Sequence, residues 1–176
     1  MNLANKITMA RVCLIPVFVI FCYWEFPYHR LAALAVFIIA SISDYIDGRL
    51  ARSRDMVTDF GKFMDPIADK MLTMSALCMF VGWGRTPVWV LLLILAREFA
   101  VSALRLIAVD NGKVIAAAWS GKVKTASTMV CIILMLAVTG STVLDFLCNL
   151  VMLVTTVYSG VEYFVKNKEV MNWSDV

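Results

Sequence analysis

The stretch Asp44-Tyr45-Ile46-Asp47-Gly48-Arg49-Leu50-Ala51-Arg52, followed by Gly61, Asp65 and Asp69, decides how this chain is read. One long apolar run precedes Asp44 and another follows Asp69. On a helix, Asp44, Asp47, Gly48 and Ala51 share one face, and so do Gly61, Asp65 and Asp69. Thirteen residues, 31–43, lead up to Asp44, and thirteen, 71–83, follow Asp69. At about 1.5 Å per residue, both pairs of carboxylates lie roughly 20 Å from the outer edge of an apolar layer about 30 Å thick. They are predicted to sit just beneath the inner surface of a membrane.

Composition agrees with that setting. Of 176 residues, 61% are hydrophobic and 16% charged, with a mean hydropathy of +0.82. Soluble domains carry about 25% charged residues, so an ordinary globular, disordered or coiled-coil chain is excluded. At roughly 20 residues per span there is room for about six helices and no separate soluble domain. The apolar runs place them at residues 7–26, 31–52, 60–83, 86–109, 124–139 and 141–165. The expectation is an all-α membrane protein of six transmembrane helices, with residues 1–176 forming a single integral membrane catalytic domain. Turn formers break the runs at Pro27-Tyr28-His29, Gly82-Trp83-Gly84, Asp110-Asn111-Gly112 and Gly140-Ser141.

With the N-terminus inside, the outer loops hold only Arg30 and Arg85, and the other fourteen of the sixteen Lys and Arg lie at or toward the inner face. Both termini and the carboxylates are therefore expected to face the cytoplasm. The first apolar run ends at Trp24, Glu25 and Pro27 without a small-residue cleavage site, which argues against a signal peptide. The net charge of +3 suits an anionic lipid surface; no basic stripe is interleaved with aromatics, so no nucleic-acid partner is expected. The five cysteines lie singly in apolar stretches, and His29, the sole histidine, is expected to be solvated in a polar loop. Catalysis then falls to carboxylates, lysines or arginines.

Carboxylates at this depth are costly. Even at an effective dielectric of about 20, two like charges about 4 Å apart repel by roughly 4 kcal/mol. Four would protonate unless cations held them. All-carboxylate ligation selects hard ions such as Mg²⁺, Mn²⁺ or Ca²⁺, and four aspartates can hold two with positions left for phosphate oxygens. Paired metals form a clamp for in-line phosphoryl displacement. Gly48 and Ala51 leave the same face bare where a base or diphosphate would approach, and Arg52 follows at the membrane edge. The rival from another class is a cation channel or transporter. Against it, the outer halves of the second and third spans hold only Ser41, Ser43, Thr73 and Ser75 as polar residues.

The segment from Asp44 to Asp69, with eight fixed positions (Asp44, Asp47, Gly48, Ala51, Arg52, Gly61, Asp65 and Asp69) over 26 residues, resembles the complete signature of the CDP-alcohol phosphotransferase family. The resemblance implies a six-helix membrane enzyme of the CDP-alcohol phosphotransferase fold, usually a homodimer, that transfers a phosphatidyl or similar group from a CDP-linked donor to an alcohol and releases CMP. It further implies that Asp44, Asp47, Asp65 and Asp69 ligate two divalent metal ions, Mg²⁺ or Mn²⁺. By the same resemblance Asp69 doubles as general base, and Gly48, Ala51, Arg52 and Gly61 shape the CDP pocket.

A second group of charge lies on the fourth run: Arg97, Glu98 and Arg105, followed by Lys113, Lys122 and Lys124. Two readings are open. Arg97 can pair with Glu98 or the aspartates in a structural network, with Lys122 and Lys124 as membrane-edge anchors. Alternatively, Arg97, Arg105, Lys122 and Lys124 grip a phosphate on the acceptor. The stretch Ala96-Arg97-Glu98-Phe99-Ala100-Val101-Ser102-Ala103-Leu104-Arg105 resembles the phosphatidylglycerophosphate synthase branch, as do Trp119-Ser120-Gly121-Lys122-Val123-Lys124-Thr125, Asn5-Lys6-Ile7-Thr8-Met9-Ala10-Arg11 and Tyr158-Ser159-Gly160-Val161-Glu162-Tyr163-Phe164. The opening departs from that branch at Ala4, where a proline is usual. This resemblance implies CDP-diacylglycerol as donor, sn-glycerol 3-phosphate as acceptor, membrane lipids around the helices and a bacterial cytoplasmic membrane as location. Asn5 and Thr8, with Arg11 either beside them or as a membrane-edge anchor, would cap the nucleotide. A cardiolipin synthase or a phosphatidylinositol phosphate synthase would need similar cations.

Overall fold

Long apolar runs bounded by proline and glycine fold here into six helices. The computed structural model describes residues 3–24, 26–53, 59–112, 115–116 and 118–170. In chain order they form α1 (Leu3–Tyr23), α2 (His29–Ser53), α3 (Asp59–Gly82), α4 (Val88–Asp110), α5 (Trp119–Ala137), α6 (Thr142–Lys166) and a closing 3-10 turn (Lys168–Val170). There is no strand among the described residues. Among them, α5 and α6 are long and apolar enough to cross a membrane, while α1 and α2 contain shorter apolar stretches, Ile7–Tyr23 and His29–Ser43. Charges inside α3 (Asp69, Lys70) and α4 (Arg97, Glu98, Arg105) interrupt their apolar runs.

The first compact unit comprises residues 1–83 and 132–140. Thr8, Arg11, Ile15, Phe18 and Cys22 are buried along α1 at alternating three- and four-residue spacing, one face of a helix. That face packs on α2 and α3. Ala33, Phe37 and Ala40 come from α2, and Ala68, Leu72, Ala76, Leu77 and Phe80 from α3. The Phe18 and Phe37 rings meet at 5.9 Å. The alanines let the backbones approach closely, so the stretch from Ala33 to Ala40 of α2 and that from Ala68 to Phe80 of α3 are held against a common partner.

Three expectations are corrected here. The first helix ends at Tyr23 rather than near residue 26, because proline disfavours helix in the residue before it and Tyr28 turns the chain with φ of 68°. His29 is not a solvated loop residue. It opens α2 half-buried, with Nδ1 donating to the Phe21 carbonyl at 3.1 Å and its ring against Phe26. Arg11 is no membrane-edge anchor either, because it is 1% exposed on the packed face of α1.

The second unit comprises residues 84–131 and 141–176. Val90, Leu91, Ile94, Val101, Leu104 and Ala108 of α4 face Cys148, Asn149, Met152, Thr156, Ser159 and Tyr163 of α6. A buried latch fixes the head of this pair. Arg85 grips Asp145 with two nitrogens, Nε to Oδ2 at 2.9 Å and Nη2 to Oδ1 at 2.6 Å. The Asn149 amide donates to the carbonyls of both Arg85 and Asp145 at 2.8 and 2.7 Å. Ser141 caps α6 by accepting from the Leu144 amide. Helix α5 begins at Trp119, five residues before the expected start, because Lys122 and Lys124 lie within the helix instead of marking its edge.

Candidate active site

Asp44 and Asp47 lie in the second half of α2, and Asp65 and Asp69 in the first half of α3, both in the first unit. Their three- and four-residue spacings put each pair on one helix face, as the sequence requires. Gly48, Ala51 and Arg52 continue α2, and Gly61 lies in the opening of α3. The side chains of Asn5, Asp44, Asp47, Gly48, Ala51, Arg52, Gly61 and Asp65 fall outside the described residues. Asp69 is described and half-buried, and its backbone carbonyl accepts from the Thr73 hydroxyl at 3.1 Å. Ser41 and Ser43 likewise turn their hydroxyls back onto the Phe37 and Ile39 carbonyls at 2.8 and 2.7 Å. These α2 hydroxyls are thus satisfied within their own helix. Thr8, the described member of the expected nucleotide cap, is 1% exposed on α1, one turn before Arg11.

The donor chemistry of this set fits a divalent cation. Four carboxylates on two helices that pack on a shared partner offer only hard oxygen ligands, and the five cysteines, all free, lie elsewhere in the sequence.

Of the four cations expected at the acceptor phosphate, Arg97 and Lys124 share one arrangement, Arg105 has another, and Lys122 stands apart. In the first, Glu98 accepts from Arg97 Nη1 at 2.9 Å and from Lys124 Nζ at 2.7 Å through the same Oε1. The three side chains are only 5–15% exposed. Arg97 also donates through Nη2 to the Ser159 hydroxyl. Gly160 leaves close room for the Arg97 stem, and Gly121 lies at ordinary contact distance from its guanidinium. A Cβ at Gly160 would stand 3.3 Å from Arg97 Cγ, and one at Gly121 would stand 3.6 Å from Nη2. Two cations share one oxygen of this carboxylate. In the second arrangement Arg105 is exposed, with Nε donating to the Tyr163 hydroxyl at 2.7 Å and Cζ over the Tyr163 ring at 5.4 Å. Lys122 is exposed on α5.

The Arg97–Glu98 pair is the one the structural-network reading anticipates, but that reading placed Lys124 at the membrane edge, whereas Lys124 joins the pair on Glu98 and is buried. Sequence reasoning assigned no chemistry to Ser159, Gly160 and Tyr163. The signal was present in Tyr158-Ser159-Gly160-Val161-Glu162-Tyr163-Phe164, whose small residues and tyrosine recur one turn apart on the face that meets α4.

The sequence pattern described as CDP-alcohol phosphatidyltransferase matches residues 1–161. The chain belongs to this family. Its members are membrane enzymes and in general use divalent metals. Among the relatives, the chain is 40% identical to a Bacillus subtilis (strain 168) protein named CDP-diacylglycerol–glycerol-3-phosphate 3-phosphatidyltransferase, over 99% of each chain. It is 37% identical to a Pseudomonas fluorescens protein of the same name, over 78% of this chain and 73% of that one. It is 46% identical to a Mycobacterium tuberculosis (strain H37Rv) protein named probable phosphatidylglycerophosphate synthase, over 70% of this chain and 60% of that one.

Proposed function

We propose that the chain transfers the phosphatidyl group of CDP-diacylglycerol to sn-glycerol 3-phosphate, giving phosphatidylglycerophosphate and CMP. The observation that carries this reading is the end-to-end similarity to the Bacillus subtilis protein of that name. Residues 1–176 act as one catalytic domain whose six helices all cross a bacterial cytoplasmic membrane, with both termini and the active site toward the cytoplasm. The working form is a homodimer surrounded by membrane lipids.

The mechanism assigns each residue a task. Asp44, Asp47, Asp65 and Asp69 would hold two divalent ions, Mg²⁺ or Mn²⁺, which when bound offset the charge of the donor's diphosphate and of departing CMP. Gly48 and Ala51 leave room on α2 for the cytidine, with Arg52, Gly61, Asn5 and Thr8 bordering it. Asp69 takes the proton from the primary hydroxyl of the acceptor. That oxygen then bonds to the phosphorus bearing diacylglycerol, and the bond from this phosphorus to CMP breaks. The acceptor's own phosphate falls to Arg97, Arg105, Lys122 and Lys124. Glu98 offsets one charge of the Arg97 and Lys124 pair, so Arg105 and Lys122 are the principal grip.

The deciding experiment incubates purified protein with CDP-diacylglycerol and a panel of alcohols and measures CMP. Glycerol 3-phosphate is expected to support release. Preference for phosphatidylglycerol would indicate a cardiolipin synthase, and preference for inositol phosphate a phosphatidylinositol phosphate synthase. No release with any alcohol, together with metal-ion flux through vesicles, would indicate a transporter.

A residue-level test follows from the charges. Charge-assisted hydrogen bonds contribute about 1.5 to 3 kcal/mol each. Arg105→Ala or Lys122→Ala is therefore expected to raise acceptor KM by about 10- to 100-fold while donor KM stays nearly constant. Unchanged acceptor KM in both variants, at normal thermal stability, would remove these residues from the phosphate site.

A further inference from the structure

The late tyrosine of α6 has no task in the reaction above, yet its surroundings hold it firmly. Tyr163 is 2% exposed and packs with Val101, Leu104 and Ala108 of α4, with Phe164 beside it. Arg105 follows Leu104 in α4 and, unlike Tyr163, is exposed. The two meet twice, through the 2.7 Å bond from Nε to the hydroxyl and through the ring face at 5.4 Å.

The contrast with Arg97 is instructive. Arg97 shares the Glu98 carboxylate with Lys124, whereas Arg105 is held by an uncharged hydroxyl that offsets none of its charge. A bond at Nε also leaves the two terminal nitrogens as the edge of the guanidinium fork, the edge that matches phosphate oxygens bidentately. A buried aromatic that fixes a flexible cation in one orientation lowers the entropy lost when that cation meets its ligand.

We propose that Tyr163 is a positioning residue for Arg105, holding the guanidinium at full charge with its terminal nitrogens presented to the phosphate of the acceptor. The inference rests on the reading of Arg105 as an acceptor-phosphate residue.

Tyr163→Phe tests it, since the ring and its packing remain and only the hydroxyl is lost. Acceptor KM is expected to rise about 5- to 20-fold, with donor KM and the detergent-solubilised melting temperature unchanged. In an Arg105→Ala background the same change is expected to add nothing. Tyr163→Leu, which removes the ring too, should raise acceptor KM further in the parent and again add nothing in that background. The proposal is overturned if Tyr163→Phe leaves acceptor KM unchanged, or if its effect is as large with alanine at position 105 as with arginine. Should Arg105→Ala itself leave acceptor KM unchanged, the phosphate assignment fails and takes this role with it. A strong Arg105→Ala effect beside a silent Tyr163→Phe removes the positioning role alone.

Discussion

Exhaustive chelation with EDTA is expected to bring CMP release to baseline, and Mg²⁺ or Mn²⁺ to restore it. Four carboxylates lie within 26 residues of sequence, on two helices of one packed unit. Without a cation, mutual repulsion of roughly 4 kcal/mol per close pair favours their protonation, and a protonated carboxyl neither binds metal nor accepts a proton. Oxygen-only ligands also predict the selectivity: hard ions restore turnover, and a thiophilic ion such as Cd²⁺ does so poorly. The measurement is CMP formed by metal-stripped enzyme against added ion. Full turnover after chelation would remove the metal clamp from the mechanism.

Asp69→Asn is expected to lower kcat by about 10² to 10⁴ while CDP-diacylglycerol binding largely persists. Asp44→Asn should lose donor binding as well, because a residue that only ligates metal acts on both substrate binding and turnover. Asp69 sits at the start of the packed part of α3, next to buried Ala68, where a change from carboxylate to amide leaves the side-chain volume nearly constant. Its effect should therefore be chemical. Donor affinity measured by competition against turnover, for both variants at matched thermal stability, separates the roles. Equal loss of donor binding would mean that Asp69 is a ligand and no base.

The six helices, and the location of the four aspartates on the second and third of them, were legible in the sequence, since both depend on local periodicity and on the length of apolar runs. The boundaries were less so. Lys122 and Lys124 look like a membrane edge because free lysines prefer water, but a lysine that meets Glu98 can continue a helix inward. Arg85 looks like a lone outer-loop cation, and nothing in its neighbourhood announces Asp145, sixty residues away. The same holds for Arg97 with Ser159 and Arg105 with Tyr163. Which residues of two helices touch depends on the rotation of each about its axis, set by the whole packed face and not by the spacing of a motif. His29 failed for a related reason, because the carbonyl that satisfies it belongs to the preceding helix. Tyr158 to Phe164 was visible as a pattern, but only packing on α4 gave it a task.

The pairing of α4 also has a temporal side. Every side-chain partner described above for its charged residues, apart from the Arg97–Glu98 contact, is encoded later in the chain: Lys124 by 26 residues, Tyr163 by 58 and Ser159 by 62. At about 5 to 20 residues per second of synthesis, the last of these emerges roughly 3 to 12 s after the residues it must satisfy. During that interval α4 carries a guanidinium whose eventual anchor does not yet exist, so the helix must wait in a polar setting or be sheltered by cellular machinery. Premature termination within α6 would therefore be felt first in α4, a helix whose own coding sequence is intact.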